Sequence, residues 1–132
     1  MTNLIIAVAL TIFGESAGEP FEGKQAVASV VWNRAGGDVA KLESVIKAPK
    51  QFSCWNDGAR PRVPNDYASR VAWRDCKTLA EAMVAGRFTP WVTATHYHAA
   101  SMTKPPYWAK DMRLVAIIGA HKFYIEKGKV AK

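Results

Sequence analysis

Between Leu4 and Phe13 a single residue, Thr11, is polar, and the run ends on Gly14-Glu15-Ser16-Ala17-Gly18-Glu19-Pro20. A helix that is apolar all round must be packed on every side. This segment therefore has to sit at the centre of a domain, with other helices laid around it. The run is about half the length of a membrane span, and no Lys or Arg precedes it as in a secretory signal. The expected element is a buried helix over residues 3–15, broken by Gly18 and Pro20; a non-standard uncleaved signal is the alternative.

The rest of the chain supplies the surrounding layers. A second helix is expected from Pro20, with Ala26, Val27, Val30, Val31 and Arg34 at helical spacing and Gly36-Gly37 as its stop. Asp38 reads as the cap of a short helix carrying Val39, Leu42, Val45 and Ile46, stopped by Pro49. Residues 51–64 form a long polar loop with embedded aromatics, a kind of segment that compact domains keep for function. A fourth helix is expected over residues 65–85, with Val71, Ala72, Cys76, Leu79 and Met83 as its stripe. Then the pattern changes. Residues 93–99 read as a strand, 102–108 as a Pro-rich loop, and 114–118 and 122–125 as strands separated by Gly119. The fold class is α+β: a mainly helical domain with a small antiparallel β lobe, and a groove between the two.

At 132 residues the chain forms one domain, residues 1–132. Its net charge of +7 favours an anionic partner, whether nucleic acid, a membrane face or an acidic wall polymer. Cys54 and Cys76 form no metal motif. They are expected as thiols in a cytoplasm, with a bridge between them open in an oxidising compartment.

Glu15 is the first candidate for chemistry. Burial disfavours a charged carboxylate, and so does the negative end of a helix, so this position suits a group that holds a proton and delivers it. That is the requirement for a general acid in glycosidic cleavage. Glu19 is the nearest second carboxylate, though a role in capping the second helix is the stronger expectation. His96 and His98 share a strand face, and with His121 they raise a three-His metal site; structural or substrate-contacting histidines are the commoner outcome. Trp55, Trp91 and Trp108 lie in or beside loops with Tyr97 and Tyr107 nearby, where aromatic faces stack on sugars or bases. Trp32 and Trp73 are expected in the core. Phosphate-loop, serine-hydrolase and zinc-protease motifs are absent from the sequence.

Five blocks then share one pattern. The stretch from Gly14 to Ala28, which runs on through Val30-Val31-Trp32-Asn33-Arg34, resembles the opening of the spore cortex-lytic enzyme (SleB-like) cell wall hydrolases. Gln51-Phe52-Ser53, Thr95-His96-Tyr97-His98, Pro106-Tyr107-Trp108-Ala109 and Ile118-Gly119-Ala120-His121-Lys122-Phe123-Tyr124 resemble its later blocks, in order, from about residue 5 to residue 125. The resemblance implies a lysozyme-like catalytic domain that cleaves peptidoglycan between N-acetylmuramic acid and N-acetylglucosamine. Glu15 falls on the family's catalytic acid, and the implied reaction is that of a lytic transglycosylase, with no cofactor and no metal. Ser16-Ala17 stands where the common motif has Ala-Arg, which puts any contact made by that arginine in doubt. Neither an export signal nor a wall-binding module is read in the chain, so the type expected is a bacteriophage endolysin. It would be made in a host bacterial cytoplasm and act in the periplasm after the membrane is permeabilised.

The expected site is therefore Glu15 as catalyst, with Glu19, Gln51, Phe52, Ser53, Tyr97, His98 and Trp108 as substrate-binding residues. Expected partners are peptidoglycan glycan strands and an anionic cell envelope, with no nucleic acid, no stable membrane insertion and a monomeric state. Three rivals stand beside this reading: a hydrolytic muramidase using Glu15 and Glu19, a basic nucleic-acid-binding protein and a non-catalytic wall-binding module.

Overall fold

The structure is a computed structural model, and it describes residues 2–48, 52, 54, 55 and 60–128. Among the described residues four α-helices come first: α1 (Thr2–Ser16), α2 (Phe21–Arg34), α3 (Leu42–Lys47) and α4 (Tyr67–Val84). Three strands follow: β1 (His96–Ala99), β2 (Met112–Ile118) and β3 (His121–Glu126). Single 3₁₀ turns precede α3 at Val39–Lys41 and β2 at Tyr107–Asp111.

Helix α1 packs against α2, α3 and α4, as its composition demands. Val8, Ala9, Ile12 and Phe13 are fully or almost fully buried, and Phe13 meets the edge of Trp73 on α4. Enclosure is incomplete at the start of the helix, where Leu4, Ile5, Ile6 and Ala7 are half-buried. Thr11, the polar interruption, is fully buried. Its hydroxyl bonds back to the Ala7 carbonyl at 2.9 Å and accepts the indole N–H of Trp55 at 2.8 Å.

The sheet is antiparallel, in the order β1-β3-β2. Its inner face lays Phe123 on Ala26, Val27 and Val30 of α2. The β1 strand is shorter than the sequence pattern implies. The reason lies at the end of α2, where side chains take over the backbone groups of the preceding segment. Asn33 donates to the carbonyls of Val92 and Ala94, both at 2.9 Å, and Arg34 donates to the Thr95 carbonyl at 2.6 Å. Residues 92–95 thus hang from α2 and deliver the chain into β1.

Among the described residues no helix is long and apolar enough to cross a membrane. Cys54 and Cys76 are both free thiols, so the bridge left open by the sequence is not formed.

Candidate active site

Glu15 lies in the last turn of α1, half-buried. The phenolic O–H of Tyr97 donates to its Oε1. The backbone N–H of Cys54 points at its Oε2 from 3.4 Å. Three parts of the fold therefore meet on one carboxylate: the end of the central helix, the first strand and the long loop.

Each is held in place by neighbours that the sequence specifies. The loop is anchored on one side by the Trp55–Thr11 bond and on the other by Phe52. Gly14 allows the close approach, because a Cβ there would stand 2.7 Å from the Cys54 Cβ and 3.2 Å from Pro61 Cγ. The guanidinium of Arg34 lies 4.8 Å above the Phe52 ring and acts electrostatically on both Tyr97 and Glu15. Burial pushes the Arg34 pKa down, while Tyr97 and Glu15 hold it up.

The two donor side chains around Glu15 keep their protons. Burial raises the Tyr97 phenol well above its ordinary value, and the charge of Glu15 and the bond to it add to the effect. Burial first, then Glu15, pushes the Cys54 thiol up to about 12. Near neutral pH Tyr97 is thus a permanent donor to Glu15. A donor of this kind fixes one carboxylate oxygen and orients the other.

Glu19 takes a different place from the one expected. Pro20 occupies the N-cap of α2 without any side-chain cap bond. Instead, Glu19 Oε1 accepts the Ala120 N–H at 2.7 Å and lies 3.4 Å from Nδ1 of His121. It clamps the β2–β3 turn to the α1–α2 turn. Glycines open that space: a Cβ on Gly119, whose φ is +56°, would fall 2.2 Å from Oε1. Lys24, buried on α2, donates to the Glu19 carbonyl. Glu19 therefore caps no helix; its carboxylate is bonded to the β2–β3 turn.

The expected groove residues separate by strand alternation. Tyr97 packs with His121 and Phe123 on the inner face. His96 and His98 pack with Trp108 on the outer face, where His98 Nε2 also meets the Tyr124 hydroxyl at 2.8 Å. His98 and Trp108 therefore stand on the side of the sheet turned away from Glu15, not across the groove from it. The same alternation divides the three histidines, His96 and His98 outside and His121 inside, so they do not converge on one metal position. Phe52 is 1 % exposed and supports the site from within the core; it does not face a groove. Gln51 and Ser53 lie outside the described residues. Trp32 and Trp73, expected in the core, are half-buried at its margin. Ser16, at the point where the motif departs from its common form, is buried and bonds to the Ile12 carbonyl at 2.6 Å.

Three contributors escaped the sequence reading: Thr11, Asn33 and Arg34. Thr11 carried a signal, since a lone polar residue in a buried run needs a partner. The positioning roles of Asn33 and Arg34 span about sixty residues of sequence, and their one mark there is the motif block they close.

The chain belongs to the family described as Cell Wall Hydrolase, whose profile matches residues 18–124. Among similar proteins, the spore cortex-lytic enzyme of Oceanobacillus iheyensis is 38% identical over 68 residues, covering 50% of this chain and 25% of that one. That of Bacillus subtilis (strain 168) is 35% identical over 68 residues, covering 50% and 22%. The chain spans about a quarter of the length of these curated relatives. The crystal structure of the catalytic domain of the Bacillus cereus SleB protein superposes with a TM-score of 0.69 at 28% identity, covering 95% of this chain and 91% of that one. The catalytic domain of the germination-specific lytic transglycosylase SleB from Bacillus anthracis gives a TM-score of 0.70 at 27% identity, covering 95% and 96%. The mainly helical fold with a small antiparallel sheet is thus that of the SleB catalytic domain.

Proposed function

We propose that the protein is a lytic transglycosylase that cleaves the bond between N-acetylmuramic acid and N-acetylglucosamine in peptidoglycan. Glu15 protonates the glycosidic oxygen and the bond to the muramic C1 breaks. The carboxylate then takes the proton from the C6 hydroxyl of the same sugar, whose oxygen closes on C1 as a 1,6-anhydro ring. The nucleophile belongs to the substrate, so one carboxylate serves both steps.

The observation that carries this reading is the pairing of Glu15 with Tyr97 at the end of the central helix, while Glu19 is engaged by Ala120 and His121. A hydrolytic muramidase using Glu15 and Glu19 would need the second carboxylate free to activate water. The family and the SleB structures support the same reaction class.

The setting we propose is lysis from within, as by a bacteriophage endolysin: synthesis in the host cytoplasm and action on the periplasmic wall once the membrane is permeabilised. The two free thiols suit synthesis in a reducing compartment. The net charge of +7 suits adhesion of a monomer to an anionic wall.

Digestion of purified peptidoglycan tests the chemistry. Muropeptides ending in 1,6-anhydro sugars are expected. Reducing ends carrying one added water would assign the hydrolytic reaction instead.

A further inference from the structure

Beside the catalytic end of α1 lies a cleft of about 510 Å³ lined by Leu10, Arg60, Pro61, Arg62 and Val63. Leu10 is five residues before Glu15, about 7.5 Å along the helix axis and roughly 140° around it. Pro61 packs against Gly14, the residue next to Glu15. The wall of the cleft therefore reaches α1 one residue before Glu15.

Its chemistry is amphipathic. Leu10, Pro61 and Val63 make an apolar wall, the two arginines flanking Pro61 bring two positive charges, and among the described residues no acidic side chain lines it. Most surface arginines are simply solvated. Here two like charges share one concave wall, and each gains from a common anion. Guanidinium groups bind carboxylates through paired N–H donors.

On the proposed function, the sugar that closes its ring at Glu15 also carries the peptide stem. That stem combines small apolar side chains with free carboxylates. We propose that the Arg60/Arg62 cleft is a subsite for a carboxylate of the peptide stem, holding the strand so that the scissile bond lies at Glu15.

The test reads binding without turnover. A synthetic stem tetrapeptide with free carboxylates is titrated into the whole protein, following the Leu10 and Val63 methyl groups by NMR. A second titration uses the same peptide with every carboxyl amidated. A third uses the double variant Arg60→Gln/Arg62→Gln, whose thermal midpoint is measured alongside; both replaced side chains are exposed. Saturable shifts at both methyls are expected, with binding about tenfold weaker or more after amidation or in the double variant. Absence of saturable shifts there, equal binding of the amidated peptide, or unchanged binding by the double variant would each overturn the subsite. The peptide contains no glycosidic bond, so a protein that binds it yet releases no muropeptides would contradict the proposed function and leave this subsite standing.

Discussion

Tyr97 and Glu15 are 82 residues apart in sequence, and the tyrosine hydroxyl donates to the glutamate's Oε1. The strand that carries Tyr97 is fixed on one side by Asn33 and Arg34 at the end of α2 and on the other by its pairing with β3.

Replacing Tyr97 with Phe removes the donor and keeps the ring against Phe123 and His121. A hydrogen bond to a charged group contributes about 1.5–3 kcal/mol. The expected result is a fall in kcat of about 10- to 100-fold, with KM little changed and the thermal midpoint lowered by several degrees. Steady-state kinetics on soluble glycan strands, with a melting curve, measure both. A kcat close to that of the wild type would remove Tyr97 from the machinery.

Gly14→Ala sets a new Cβ against Cys54 and Pro61, whereas Gly18→Ala meets nothing within 4 Å. Overpacking of this kind costs about 1–3 kcal/mol. The first variant is expected to lose that much in urea unfolding and to lose activity as the loop is pushed off Glu15. The second is expected to lose little of either. Equal losses would show that the close approach at Gly14 is not what matters.

Glu19 separates the two reaction types. Glu19→Gln keeps an acceptor for the Ala120 N–H and is expected to retain most of the wall-cleaving activity. Glu19→Ala removes that bond at an exposed N–H and is expected to cost about 0.5–1.5 kcal/mol of stability. A glutamine variant that folds normally but is inactive would restore Glu19 as a second catalytic carboxylate.

Stability should fall in alkali. Burial pushes the Cys76 thiol from 9.0 up to about 12, and burial together with Glu15 does the same to Cys54. Between these values the unfolded chain releases protons that the folded chain retains. The contribution is complete below pH 9.0 and is lost as the pH rises toward 12. A fully buried thiol such as Cys76 contributes a slope of about 1.4 kcal/mol per pH unit. Urea unfolding near pH 8 and about pH 10.5 is expected to show the decline, with a shallower slope in Cys76→Ala. Identical slopes in the two proteins would count against the assignment to Cys76.

The helical half was legible because its signals are local. The apolar run from Leu4 to Phe13, Asp38 capping the turn before α3, and the stripe through Ala72, Cys76, Leu79 and Met83 each follow from spacing or capping chemistry. The place of Glu15 in the last turn of α1 follows from the same run. Alternation along the strand separates Tyr97 from His98, whereas the motif blocks that hold Tyr97, His98 and Trp108 carry no information on which face of the sheet each takes. Glu19 was read from its nearness to α2, while its partner Ala120 lies 101 residues away. The burial of Phe52 and the reach of Asn33 and Arg34 depend on packing between distant segments, which spacing along one segment does not encode.

The central claim is that Glu15 moves the proton. Its most direct test is digestion of purified peptidoglycan by the wild type and by Glu15→Gln, both shown to be folded, with released muropeptides identified by mass. The account predicts anhydro-muropeptides from the wild type and at least about a thousandfold slower release from the variant. Equal release by the two proteins would contradict it.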